Sequence, residues 1–134
     1  MHQARLTVLL KCLAMVFVFS ISMAIPLLIY GQLKKSADSL LIQKDLEQIQ
    51  EWAIVYKLKN GSYDGLEKNV EIIKKKIDIT VLGGKPRIFV SSDKDAFCVA
   101  SPLLDAKTKW CVDGEGYSGK EADNCRGGGL SRCQ

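Results

Sequence analysis

The run Cys12–Tyr30, CLAMVFVFSISMAIPLLIY, contains no charged side chain. It constrains the fold more than any other stretch of the chain. About nineteen residues at a rise of ~1.5 Å each cover close to the ~30 Å of a bilayer's hydrocarbon core. In lipid, a helix satisfies its own backbone polar groups where an irregular segment cannot. The expectation is a membrane helix over residues 1–31, continuing past Gly31 as an amphipathic helix to about Asn60. The flank MHQARLTVLLK carries His2, Arg5 and Lys11 and no acid. That bias places the N-terminus in the cytoplasm and the remainder outside, as a single-pass membrane protein. A cleavable signal peptide with Ser22-Met23-Ala24 at its cleavage site is the competing reading. Against it, the apolar run continues through Ile25–Tyr30, and Pro26 follows the scissile bond. A retained anchor starting at or near Met1 is the expectation. Pro26 removes one helical hydrogen bond, so a kink near residues 22–26 is expected, with Gly31 a second soft point.

Residues 32–134 read as one soluble unit. Ile42, Leu46, Ile49, Ala53 and Tyr56 recur at spacings of four and three, with Trp52 widening the stripe. Such a stripe packs on its own head domain, a partner helix being the alternative. Asn60-Gly61 ends the helix, and Ser62-Tyr63-Asp64-Gly65 is a tight turn. Leu66–Ile77 reads as a second helix with Leu66, Val70, Ile73 and Ile77 on one face. Strands are expected at Ile79–Leu82 and Arg87–Ser91, around the turn Gly83-Gly84-Lys85-Pro86. Ala96–Ser101 and Thr108–Val112 are two more. The architecture is α+β: a long helix, membrane-spanning and then amphipathic, packed on a small antiparallel sheet, shaped like a lollipop.

Of the five cysteines, Cys12 lies in the apolar run, where a thiol behaves as a small apolar group. Cys98, Cys111, Cys125 and Cys133 crowd into the last third. Four cysteines in a small head read as two disulfides and an oxidising, extracytoplasmic location. Zinc is the weaker alternative, because there is no CxxC pair and the single histidine is His2. If the last two strands pair, Cys98 and Cys111 come close to opposite each other, so Cys98–Cys111 and Cys125–Cys133 are the expected bridges. The glycine-rich tail 113–134 otherwise has too little apolar content to hold a shape.

The net charge of +4 comes partly from Arg5, Lys11, Lys34, Lys35 and the Lys74–Lys76 triplet, and does not by itself imply nucleic acid. Lys74, Lys75 and Lys76 match the C-terminal end of a helix dipole; an anion or nucleic-acid contact is the sharper alternative. Enzymatic chemistry finds little support: no phosphate loop is present and no nucleophile stands at a recognisable spacing from a base. Asp113, Glu115, Glu121 and Asp123 cluster between the cysteines. Solvated loop carboxylates are the plain reading, and Asp113, Glu115 and Asp123 are the weak calcium candidates.

Lys44-Asp45-Leu46-Glu47-Gln48-Ile49-Gln50, then Tyr56 and Asn60-Gly61-Ser62-Tyr63, resembles the second half of the long helix in bacterial type IV pilins and type II secretion pseudopilins. Phe97-Cys98-Val99-Ala100-Ser101 and Trp110-Cys111-Val112-Asp113, closing in Gly116-Tyr117-Ser118-Gly119, is similar to the disulfide-linked C-terminal strands of that family. Pro26 matches its helix-kinking proline. The resemblance implies a structural or accessory subunit of a pilus, or of a secretion machine's pseudopilus. Its partners would be other pilin-like subunits, assembly-platform membrane proteins and membrane lipid, with the stems packed side by side. Some pseudopilins bind calcium through C-terminal loop oxygens. The N-terminus departs from the family pattern: no glycine precedes Arg5–Leu10, and Leu9 or Leu10 stands where the glutamate at mature position five belongs. A minor or initiating subunit is therefore expected. The runner-up is an anchored binding module whose head holds DNA through Lys74–Lys76, Arg126 and Arg132.

Overall fold

In this computed structural model the backbone is described for residues 2–105, 107–120, 125 and 131–133; side chains are not described for residues 2–10, 12, 21, 23–25, 27 and 28. The chain divides into two units, Met1–Lys34 and Lys35–Gln134. Helix α1, His2–Asn60, supplies the first and opens the second.

Within the first unit α1 is helical on both sides of Pro26. Ser20 Oγ donates to the Val16 carbonyl at 2.8 Å, one turn back. Leu13, Met15, Val16, Phe17, Val18 and Phe19 are all largely exposed. The expected single-pass topology, with a cytoplasmic N-terminus and the head across a membrane, is corrected here. Among the described residues no helix is long and apolar enough to cross a membrane.

The second unit is α+β. After α1 come a 3-10 turn (Leu66–Lys68) and helix α2 (Val70–Val81). Strands β1 (Arg87–Val90), β2 (Phe97–Pro102), β3 (Lys109–Asp113) and β4 (Ser118–Lys120) follow. They form one antiparallel meander in the order β1-β2-β3-β4. The stripe of α1 is core: Ile42, Leu46, Ile49 and Ala53 are fully buried against Phe97, Val99 and Val112 of the sheet, with Tyr56 half-buried beside them. Trp52 does not widen that stripe; it lies exposed on the flank. The helix ends as expected, Gly61 at φ 80° returning its amide to the Lys57 carbonyl at 2.7 Å.

Two element expectations are corrected. Asn69 Oδ1 accepts from the amides of Glu71 and Ile72 at 3.0 and 3.4 Å, starting α2 afresh after the 3-10 turn. That restart changes the helical phase. Ile72 and Ile79, seven residues apart, become the buried face. Val70, Ile73 and Ile77 are left outside. Residues 79–81, expected as a strand, are the last turn of α2, because Ile79 is needed one heptad beyond Ile72. The turn at Gly83–Gly84 follows at once. A Cβ on Gly84 would lie 2.6 Å from Ile79 Cγ2 and 2.9 Å from Ser101 Oγ, so only glycine lets the chain pass this close.

Candidate functional site

Pairing of β2 with β3 sets Cys98 opposite Asp113 and Cys111 opposite Ala100. The two cysteines share a face but sit on a diagonal, and diagonal neighbours are about 7–8 Å apart. A disulfide spans Cα atoms about 4.4–6.8 Å apart. The expected Cys98–Cys111 and Cys125–Cys133 bridges are therefore corrected to Cys98–Cys125 and Cys111–Cys133, with Cα separations of 5.8 and 5.7 Å. Each strand cysteine takes a partner from the terminal segment. Cys125 and Ser131 form an antiparallel bridge there. Cys98, Ala100, Cys111, Cys125 and Cys133 make a second small core, backed by Phe89 and Tyr117.

Asp113 closes the same region. Its carboxylate is buried, and Oδ1 accepts from the amides of Glu115 and Tyr117, both at 3.0 Å. Oδ2 accepts from the buried amide of Cys133 at 3.1 Å. One side chain thus shapes the β3–β4 turn and holds the terminal segment. On the other side of that turn, Gln50 Nε2 of α1 donates to the carbonyls of Asp113 (2.7 Å) and Tyr117 (2.9 Å). Ser118 Oγ donates to Glu47 Oε1 at 2.9 Å. Tyr63 packs on Phe97 with ring centroids 4.6 Å apart. Burial, and next the Asp113 charge, hold its phenol above the usual range. Gln50 closes the helix motif that carries the resemblance, but its contact with the turn has no signal in the sequence, because a polar position of an amphipathic helix is ordinarily a solvated amide.

Of the calcium candidates, the described ones, Asp113 and Glu115, each face a partner within the protein. Asp113 accepts three backbone N–H bonds, Glu115 pairs with Arg132 Nη2 at 2.7 Å, and Asp123 lies outside the described residues, as does Glu121. Among the described residues no group of three or more metal-ligating side chains is present. The Lys74–Lys76 triplet is split. Lys75 Nζ donates to Asp45 Oδ1 at 2.9 Å and lies 3.5 Å from Asp78, an internal tie between α2 and α1. The hydrogen bond to Asp45 first, and the charges of Asp45 and Asp78 after it, outweigh burial and hold the Lys75 ammonium above its usual range. Lys74 and Lys76 remain on the outer side, and Arg126 lies outside the described residues.

The chain matches no family model, no curated protein and no solved structure.

Proposed function

We propose that this chain is a structural or accessory subunit, in a minor or initiating position, of a filament of the type IV pilus or type II secretion pseudopilus kind. It assembles with other pilin-like subunits, and with the proteins that mount them, through its N-terminal helix. The observation that carries this reading is the row of largely exposed apolar side chains on α1, Leu13 and Met15–Phe19. The second unit already closes a core of its own. A helix segment that exposes so many aromatic and aliphatic groups is suited to being covered by other chains. Helices lying side by side do this by ridges-into-grooves packing.

The position in the filament follows from charge. Lys11 is exposed beside this row, and the first carboxylate of the chain is Asp38. In a packed bundle of identical arms the same unpaired lysine recurs in every subunit, and like charges repel in a poorly hydrated interior. A sparse or terminal position avoids the repetition. The test is stem-dependent co-purification with pilin-like subunits. The full chain is expected to co-purify, and Phe17→Ser with Phe19→Ser to lose at least about tenfold of that recovery, as two buried aromatics of ~1.5–3 kcal/mol each imply. Leu9→Glu or Leu10→Glu, made separately, is expected to raise incorporation. Equal recovery of the Phe17/Phe19 variant, or wild-type chain at full stoichiometry along a filament body, refutes the corresponding half.

A further inference from the structure

Helix α2 has two apolar faces, and the core uses one. Ile72 and Ile79 are buried, and Lys75 on the same side reaches Asp45. Across the helix, Val70, Ile73, Ile77 and Val81 follow one another at spacings of three, four and four, which sets four β-branched side chains in one row. Val70 is 75% exposed and Val81 81%. Ile73, Lys76, Ile77, Thr80 and Val81 line a shallow depression of about 320 Å³. Apolar side chains scattered singly over a surface are ordinary; a contiguous row marks an interaction site. The row also has a sign. Lys74 and Lys76 border it, while Asp78 turns to Lys75. Pairing α2 with α2 of a second copy would set these lysines against lysines, which disfavours that arrangement.

The same unit carries a second row of opposite character. On the outer side of α1, away from Ile42, Leu46, Ile49 and Ala53, lie Leu40, Lys44, Glu47, Glu51, Ile54 and Leu58 at alternating spacings of four and three. Every one of these side chains is exposed, Leu58 at 80%. Two glutamates stand between the apolar ends. Ser118 Oγ holds the Glu47 carboxylate in place through Oε1. Lys44 is the one cation of this row, against two acids.

We propose that the α2 row of one copy docks on the outer α1 row of a second copy. Val70, Ile73, Ile77 and Val81 pack against Leu40, Ile54 and Leu58, while Lys74 and Lys76 face Glu47 and Glu51. The apolar rows supply the attraction, and the charges set which helix of the neighbour is chosen. The two faces differ, so the contact is heterologous, and closing into a small ring it fits a terminal or initiating position. It uses residues 40–81 alone and does not rest on packing of the N-terminal arm.

The experiment is photo-cross-linking of the full chain, with benzoylphenylalanine replacing Ile77 or, separately, Val81, in an equal mixture of unlabelled and ¹⁵N-labelled copies. Mass spectrometry is expected to find mixed-isotope links from these positions to residues 47–58. Exposed ion pairs are each worth a small factor. Lys74→Glu with Lys76→Glu should therefore lower the link yield about threefold or more, as should Glu47→Lys with Glu51→Lys. All four together should restore it. The links should persist in the Phe17→Ser, Phe19→Ser variant, which separates this contact from the arm. Links to α2 of the second copy, to residues 11–30 or to another protein overturn the proposal. So does the absence of links, or failure of the fourfold variant to recover.

Discussion

Replacing Asp113 tests whether one buried carboxylate holds the C-terminal third together. Two substitutions separate its duties. Asp113→Asn keeps a carbonyl oxygen that can still accept from Glu115 and Tyr117, both now at 3.0 Å. The other side-chain atom becomes an NH₂ group, facing the Cys133 amide now bonded at 3.1 Å as donor against donor. A buried amide left without an acceptor costs about 1–3 kcal/mol, so about 2 is expected here. Asp113→Ala removes all three acceptor contacts. The Glu115 and Tyr117 amides are half-buried and recover part of their loss from water, adding about 1–2 kcal/mol to the first figure. The assay is urea unfolding of the full chain with disulfides intact. With a slope of about 2 kcal/mol per molar urea, the midpoint should fall by about 1 M for Asp113→Asn and nearly 2 M for Asp113→Ala. A wild-type midpoint for Asp113→Asn would show that the Cys133 bond contributes nothing. Equal midpoints for the two variants would show the same for the turn.

Non-reducing peptide mapping should recover Cys98–Cys125 and Cys111–Cys133; a Cys98–Cys111 peptide would mean that the strand register is wrong. Opening the Cys111–Cys133 ring by a double alanine substitution should cost about 3 kcal/mol on the loop-entropy model, read from the urea midpoint. Asn69→Ala should cost about 1 kcal/mol by uncapping α2, with Asn69→Asp restoring most of it. Stability should fall above pH ~10 for two reasons that substitution can separate. The unfolded chain gives up the Tyr63 proton first, because the folded phenol is held above its usual range. The Lys75 contribution is complete below its unfolded value and is lost as pH rises through its raised folded value. Tyr63→Phe and Lys75→Met should each flatten the alkaline limb of a pH–midpoint curve, and an unchanged limb in both would refute the assignment.

What the sequence made legible was local and periodic. The α1 stripe, its glycine stop and the two cysteine-bearing strands each depend on spacing within one segment. They appear where spacing puts them. The structure departs from local spacing where a second segment decides. Val70, Ile73 and Ile77 have the helical spacing of a core face, but the Asn69 cap fixes a phase in which Ile72 and Ile79 point inward. β-branched residues at 79–81 suit a strand, yet Ile79 is held in the helix by its place in the core. The disulfide pairing depends on a two-residue stagger between β2 and β3 that no composition encodes. The uncharged run predicted a membrane span that the described residues do not present.

The crossed disulfides follow from how little cover a small sheet has. Alternation along β2 sends Phe97 and Val99 to one face, and Cys98 and Ala100 to the other. The first face is closed by Ile42, Leu46, Ile49 and Ala53 of α1. Among the described residues no helix covers the second. It is covered by a terminal segment whose buried described side chains are Cys125, Ser131 and Cys133. A bridge joining cysteines of the two adjacent strands would not tie the segment down, and one between Cys125 and Cys133 would only close it on itself. One bridge to each strand does tie it down, and Asp113 adds a third anchor through the Cys133 amide. Because Gln50 grips the carbonyls of the same turn, the anchored segment and the α1 side of the sheet meet at residues 113–117. Gln50→Ala should therefore lower the urea midpoint of the wild-type chain by more than it lowers that of Asp113→Ala. Shifts that simply add would mean that the two faces of the sheet are held independently.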